Sequence, residues 1–149
     1  MPKDLLNTFR ISIEGYYRSH KRTMPWRKPN PVPYEVWLSE VILQQTRVSQ
    51  GIPYFNKILQ AFPTIEDLAN ATEDHLLSLW TGLGYYNRAR NLQKGAQQVI
   101  KNHNGELPKS SEELMKIAGI GPYTAAAISS ICHGEKIGVV DGNVFRVLS

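Results

Sequence analysis

The sequence predicts an all-α fold, and three observations carry that reading. Apolar residues recur at three- and four-residue spacing along most of the chain. Breaks at Pro63, Gly82-Leu83-Gly84 and Asn104-Gly105 divide the periodic stretches into short helices. Nothing alternates at period two for long enough to build a sheet; 137–140 is the one candidate and is very short.

Taken in order, Leu6, Phe9, Ile13 and Tyr17 give an amphipathic helix over 3–22. The run Met24-Pro25-Trp26-Arg27-Lys28-Pro29-Asn30-Pro31-Val32-Pro33 holds four prolines and reads as an extended connection. Helices are expected over 34–45 and 49–62, the second with Ile52, Phe55 and Leu59 on one face. Thr64, with Asp67 three residues on, and Thr72, with His75, open two short helices. A longer basic helix covers 86–103. Ser110 or Ser111 caps a brief helix through Lys116, and Pro122 fits the first turn of a helix ending near His133-Gly134. A last helix begins around Gly142 and still runs at Ser149.

The 149 residues favour one domain or a little more, and a hydrophobic share of 42% is enough to fill its core. No stretch is long and apolar enough to span a bilayer, and no apolar segment of a secretory signal follows Met1-Pro2-Lys3-Asp4. Cys132 stands alone, which excludes an internal disulfide and a metal site of several cysteines within these residues. An intracellular, cytoplasmic protein that meets no membrane is expected. The net charge of +4 suits a phosphate-rich partner, although many basic proteins never meet nucleic acid.

In 114–128 a short helix meets a second helix through Gly119-Ile120-Gly121. Glycines there permit positive φ and a close phosphate, and the following helix offers free N–H groups and its positive dipole end. Ile120 is the apolar plug between the helices. A plain tight turn is the competing account, but the capped helix before it and Ala125-Ala126-Ala127 after it favour a helix-hairpin-helix.

Two carboxylates stand out. Glu40 shares a helix face with Val36, Trp37 and Leu43, where lost solvation would raise its pKa and make it a proton donor. Spacing alone fits an ordinary surface glutamate better. Asp141 precedes Gly142-Asn143-Val144 and reads as the N-cap of the final helix. A capping carboxylate there could also steady positive charge on a sugar as a glycosidic bond breaks.

Four motifs resemble those of MutY-type adenine DNA glycosylases, in the same order and spacing. They are 39–46 (Ser-Glu-Val-Ile-Leu-Gln-Gln-Thr), 79–92 with its Gly-Leu-Gly-Tyr-Tyr core, the hairpin, and Val140-Asp141-Gly142-Asn143-Val144. The resemblance covers nearly everything from Met24 onward. It implies the multi-helix fold of the helix-hairpin-helix glycosylase superfamily, incomplete at the C-terminus, and removal of adenine mispaired with 8-oxoguanine or guanine. The implied partner is double-stranded DNA carrying that mispair, met by a monomer. By the resemblance Glu40 matches the acid that protonates adenine. Asp141 is similar to the aspartate that steadies the sugar, and Asn143 to a residue near the attacking water. Gln45 and Thr46 match residues that enter the duplex. Leu83 and Tyr85 resemble members of the same wedge, and Trp26 and Arg27 look like part of the adenine pocket. Gly119, Gly121 and Tyr123 fall in the DNA-holding hairpin. An extruded base leaves a gap that an amide, an aliphatic and an aromatic side chain can fill. On residue type alone, Gln45 reads as a solvated helix end and Leu83 and Tyr85 as core packing. The cations Arg88, Arg90, Lys94 and Lys101 read mostly as a solvated helix face.

A rival within the superfamily is a glycosylase-lyase of the endonuclease III kind, acting on oxidised pyrimidines. It carries a Schiff-base lysine where this sequence has Tyr123, which favours a hydrolase. A non-catalytic helix-hairpin-helix DNA-binding module would leave Glu40, Asp141 and Asn143 without a shared purpose. The resemblance further implies three parts: 1–28, a helix and connection belonging to a cluster domain; 29–136, the helical barrel with the hairpin; and 137–149, the start of the cluster domain. Relatives continue into a four-cysteine loop holding a 4Fe-4S cluster and a domain that reads 8-oxoguanine. Both are missing here, so no cofactor or metal is expected within this chain. The chain looks like a fragment, expected to bind DNA weakly and cleave slowly if at all, with the apolar face of the first helix uncovered.

Overall fold

The computed structural model describes residues 2–149, which form α1 (Lys3–His20), α2 (Pro33–Leu43), α3 (Val48–Ala61), α4 (Ile65–Asn70), α5 (Glu73–Trp80), α6 (Asn87–Asn102), α7 (Ser111–Leu114), α8 (Pro122–His133) and α9 (Gly142–Leu148). The all-α expectation holds, with no strand among the described residues. The 137–140 stretch stays an extended connection, since a lone strand has no ladder to join.

Local chemistry sets most helix ends. Thr64 and Asp67 form a reciprocal capping box, with Asp67 N–H donating to Thr64 Oγ1 at 3.1 Å and Thr64 N–H to Asp67 Oδ2 at 3.0 Å. Thr72 caps α5 through His75 N–H at 3.2 Å. Of the two serines, Ser110 is the cap of α7, accepting from Glu113 N–H at 3.3 Å. Ser111 lies inside the helix and gives its N–H to the Glu135 carboxylate at 3.0 Å. α7 stops at Leu114 rather than Lys116 and continues as turns into the hairpin. Gly134, at φ 68°, closes α8 in the left-handed region. α2 ends at Leu43, two residues short of the expected Gln45, because Gln45 itself takes φ 59°. Within α3, Pro53 lacks the N–H that would bond Ser49 C=O, and Ser49 is exposed to water that can replace it.

The fold is organised around α2, which packs against α3, α6 and α8. Eight of its eleven residues are buried, Trp37 and Leu38 completely. A helix that is apolar all round belongs inside a protein, not on its surface. Each such aliphatic or aromatic side chain contributes about 1.5–3 kcal/mol through its removal from water. The ion pair Lys28–Glu35, with Nζ 2.8 Å from Oε1, fastens the proline-rich connection onto the first turn of α2.

α6 closes the other side with amides as well as apolar contacts. Gln93 Nε2 donates to the carbonyls of Leu68 (3.3 Å) and Ala71 (2.8 Å), and Gln97 Nε2 to that of Ala69 (3.3 Å). These carbonyls end α4, where the helix runs out of N–H donors, and only that of Leu68 has a local partner, the Ala71 N–H at 3.4 Å. Gln98 Oε1 accepts from Ala118 N–H at 2.7 Å, which ties α6 to the hairpin. Between these amides lies Gly95, where a Cβ would fall 2.5 Å from Ala118 O and 2.8 Å from the Trp37 ring. By contrast α1 buries none of its residues, and Leu6, Phe9, Ile13 and Tyr17 stay exposed; the other described helices do not cover them.

Gly95→Ala is expected to destabilise the protein by about 1–3 kcal/mol in urea unfolding through overpacking. That is opposite in sign to the ~1 kcal/mol gain of the same change in an open helix.

Candidate active site and nucleic-acid interface

The hairpin is built by α7, the turn at 115–121 and α8. Gly119 takes φ 79° and passes over α6, where a Cβ would sit 3.2 Å from Asn91 Cβ and 3.3 Å from its carbonyl carbon. Gly119 is thus required twice, for conformation and for clearance. Gly121 differs from the expectation that both glycines supply positive φ. Its φ is −88° with ψ −178°, an extended conformation open to any residue, and a Cβ there would meet nothing within 4 Å. What Gly121 supplies is an N-cap without a side chain. Pro122 occupies the first turn, so the N–H groups of Tyr123 and Thr124 stand uncapped at the positive end of α8. Ile120, 5% exposed, is buried as the plug.

Glu40 lies on α2, half-buried, and opens onto a cavity of about 690 Å³ that Trp26, Arg27, Lys28, Tyr17, Arg22 and Ile131 help to line. Trp26 is held edge-on against Phe55 at 5.0 Å between ring centroids. Arg27 donates from Nη1 to Arg22 C=O at 2.9 Å, and its guanidinium carbon stands 6.0 Å from the centre of the Tyr17 ring. Trp26 and Arg27 therefore share one concavity with Glu40. Burial pushes the Glu40 carboxyl above its ordinary range, and the charge of Arg27 opposes that rise. Tyr17 and Arg22 were not singled out from the sequence; Tyr17 reads there as one more apolar position of an amphipathic helix.

Asp141 caps α9, accepting Val144 N–H at Oδ1 (2.8 Å) and the Asn143 amide at Oδ2 (3.3 Å). The Val144 backbone bond, with help from Asn143, holds its carboxyl below the ordinary range. Asn143 Oδ1 accepts in turn from Arg146 at 2.8 Å. Tyr123, the second residue of α8, is exposed. Its phenol is raised above its usual pKa first by burial and then by the charges of both Glu40 and Asp141. The Glu40 carboxyl is thus shifted up and the Asp141 carboxyl down.

The remaining sequence-predicted residues divide. Tyr85 is 67% exposed at φ 46°, and Gln45 is exposed at φ 59°. Two non-glycine residues held at positive φ store roughly 1–3 kcal/mol each, and such strain gathers at functional sites. Thr46 is half-buried beside Gln45. Leu83, expected with the wedge, packs instead in the core at 8% exposure. There the aliphatic chain gains more from its neighbours than from water. Arg88 is not on a solvated helix face either. It is half-buried and reaches across to α2. Cys132 is half-buried on α8, and no group of three or more His, Cys, Asp or Glu that could hold a metal occurs among the described residues.

The chain is thus an all-helical protein with a hairpin that ends in a bare helix N-terminus and a cleft that holds a carboxyl of raised pKa. The chain belongs to the HhH-GPD superfamily of base excision DNA repair proteins, whose family model matches residues 38–149. It is similar to the adenine DNA glycosylase of Rattus norvegicus, 44% identical over 96% of this chain and 29% of that protein. The Homo sapiens enzyme of the same name is likewise 44% identical, over 96% and 28%. That of Buchnera aphidicola subsp. Baizongia pistaciae is 42% identical over 94% and 40%. The chain thus spans less than half of each of these relatives. Among solved structures it resembles a thermostable thymine-DNA glycosylase, with a TM-score of 0.87, 26% identity, and coverage of 95% of this chain and 65% of that one. It also resembles a trapped endonuclease III–DNA covalent intermediate, with a TM-score of 0.84, 25% identity, and coverage of 100% and 68%. No helix is long and apolar enough to cross a membrane among the described residues.

The two hairpin glycines should separate cleanly on substitution. Gly119→Ala is expected to cost about 1–2 kcal/mol in urea unfolding from its left-handed backbone, before the Asn91 clash is added. Gly121→Ala should change stability by less than ~1 kcal/mol.

Proposed function

We propose that the protein containing this chain is a monofunctional DNA glycosylase that hydrolyses the N-glycosidic bond of adenine mispaired with 8-oxoguanine or guanine. The observation that carries this reading is the cavity that Glu40 shares with Trp26 and Arg27, where burial raises the Glu40 carboxyl pKa. The similarity to adenine DNA glycosylases supports the choice of base. The substrate is double-stranded DNA of the intracellular chromosome, met by a monomer.

In this reading the hairpin holds the backbone through Tyr123 and Thr124 N–H groups, a sequence-independent grip. The adenine nucleotide leaves the stack, Gln45 and Tyr85 occupy the gap, and the base enters the cavity of Trp26, Arg27 and Glu40. Glu40 gives its proton to a ring nitrogen while the bond from that base to C1′ breaks and its electron pair goes to the base. Asp141, ionised, faces the positive charge left on the sugar. Water adds at C1′ beside Asn143 and returns a proton to Glu40, leaving adenine and an abasic site. Tyr123 keeps its proton near neutrality and offers a hydrogen-bond donor. A phenol cannot form the Schiff base of a lyase, which disfavours the endonuclease III alternative. A 4Fe-4S cluster, if the whole protein carries one, is held by cysteines outside this chain.

Single-turnover release of adenine from duplexes with adenine opposite 8-oxoguanine tests the assignment in the intact protein. Glu40→Gln should lower the rate by about 10²–10⁴-fold, the usual range for a general acid. Activity retained in that variant removes Glu40 from its role, and release from oxidised-pyrimidine duplexes instead of adenine would exchange the substrate class.

The same substitution makes a pH prediction. A carboxyl whose folded pKa is raised binds more protons folded than unfolded. Its contribution to stability is complete below the unfolded pKa and is lost as pH rises through the folded one. Glu40→Gln should therefore raise the melting temperature at neutral pH, with the gain disappearing below the ordinary carboxylate range. Wild-type excision should fall as pH rises through the Glu40 pKa.

A further inference from the structure

The side chain that the function does not yet use is Arg88, in the first turn of α6. Its Nη1 donates to the carbonyls of Val41 (3.1 Å), Ile42 (2.9 Å) and Gln44, and lies 3.5 Å from Thr46 Oγ1. Its Nη2 donates to the carbonyls of Leu83 (3.4 Å) and Gly84 (3.3 Å). The guanidinium carbon stands 5.3 Å from the Trp80 ring centre and 5.7 Å from that of Tyr85. Among the described residues it forms no ion pair, so carbonyl dipoles and ring faces receive its charge.

The choice of acceptors is informative. Gln44 C=O belongs to the peptide immediately before Gln45, and Gly84 C=O to the peptide immediately before Tyr85. Those are the two exposed non-glycine residues at positive φ on the proposed wedge. One planar fork thus orients the peptide planes that lead into both strained residues, Gln45 and Tyr85, which lie far apart in sequence. At the C-terminal end of the helix carrying Glu40 it also satisfies the Ile42 carbonyl and adds to the bond that Val41 C=O accepts from Gln44 N–H at 3.4 Å. A lysine has one point charge and cannot span both turns in this way.

We propose that Arg88 is a positioning residue for base extrusion, locking the left-handed turns at Gln45 and Tyr85 to each other so that both side chains meet the duplex as one preformed wedge. This rests on the reading that Gln45 and Tyr85 enter the duplex. Arg88 touches neither the base nor the sugar; it acts through the two turns.

The test compares wild type with Arg88→Lys and Arg88→Met in the intact protein, on duplexes in which 2-aminopurine replaces the target adenine. Both variants should lose at least about tenfold in the fluorescence rise at saturating protein and in the single-turnover adenine release rate. Affinity for undamaged duplex should stay within about threefold, because the hairpin grip is untouched. On adenine opposite an abasic gap, which leaves the stack readily, the rate deficit should shrink to below about threefold. An equal deficit on both substrates would assign Arg88 to folding or chemistry and overturn the proposal, as would wild-type extrusion in both variants. Should both variants unfold, NMR couplings in free wild type decide. Fixed positive φ at Gln45 and Tyr85 supports the preformed wedge, and averaging into negative φ overturns it. A wild type that releases no adenine from any duplex sinks the functional reading itself, and this proposal with it.

Discussion

The constraint on which the rest depends is the burial of α2. An eleven-residue helix enclosed by α3, α6 and α8 has almost no side open to water. Any carboxylate placed on it must be paired, neutralised or given a cavity. Glu35 is paired, with Lys28. Glu40 faces the cavity of Trp26 and Arg27, and the loss of solvent that encloses the helix is what lifts its pKa. The raised pKa is thus a by-product of how the core is packed. Stability given up at that position is returned by the fully buried Trp37, Leu38 and Ile42 around it.

The second carboxylate is handled by the opposite means. Asp141 stands at a helix start near the surface, where a backbone N–H and the Asn143 amide favour its charge. Capping and catalysis make the same demand, an ionised oxygen pointing at donors or at positive charge, so one residue can satisfy both. Tyr123, a residue of the hairpin, has its phenol raised in part by the charges of both carboxylates.

The sequence was informative where local chemistry decides. The caps at Thr64, Thr72 and Ser110, the turn at Asn104-Gly105, the αL end at Gly134 and the plug Ile120 all follow from side chains within a few residues of the feature they control. It was ambiguous where the outcome depends on residues far along the chain. Periodicity could not separate a buried helix from a surface one at 34–45, so Glu40 read better as an ordinary surface residue. Arg88 read as one more cation on a basic face, because its acceptors at the end of α2 and in the turn beyond lie 42 to 47 residues away. Leu83 was drawn to the wedge by resemblance, whereas its aliphatic chain fills the core and only its carbonyl joins the turn. Gly121 was grouped with Gly119 by spacing, although the two serve different ends.

The close passage at Gly95 bears on how such a protein could meet its substrate. Ala118 O of the hairpin and the Trp37 ring of α2 approach the same point on α6 from either side, with no room for a methyl group between them. Adjustable side chains are what usually let two parts of a protein slide; here backbone and a rigid indole fill that place. On the proposed function, the span from phosphate grip to acid is a fixed gauge set by main-chain contact, and the nucleic acid is the partner that bends and turns until one of its bases fits.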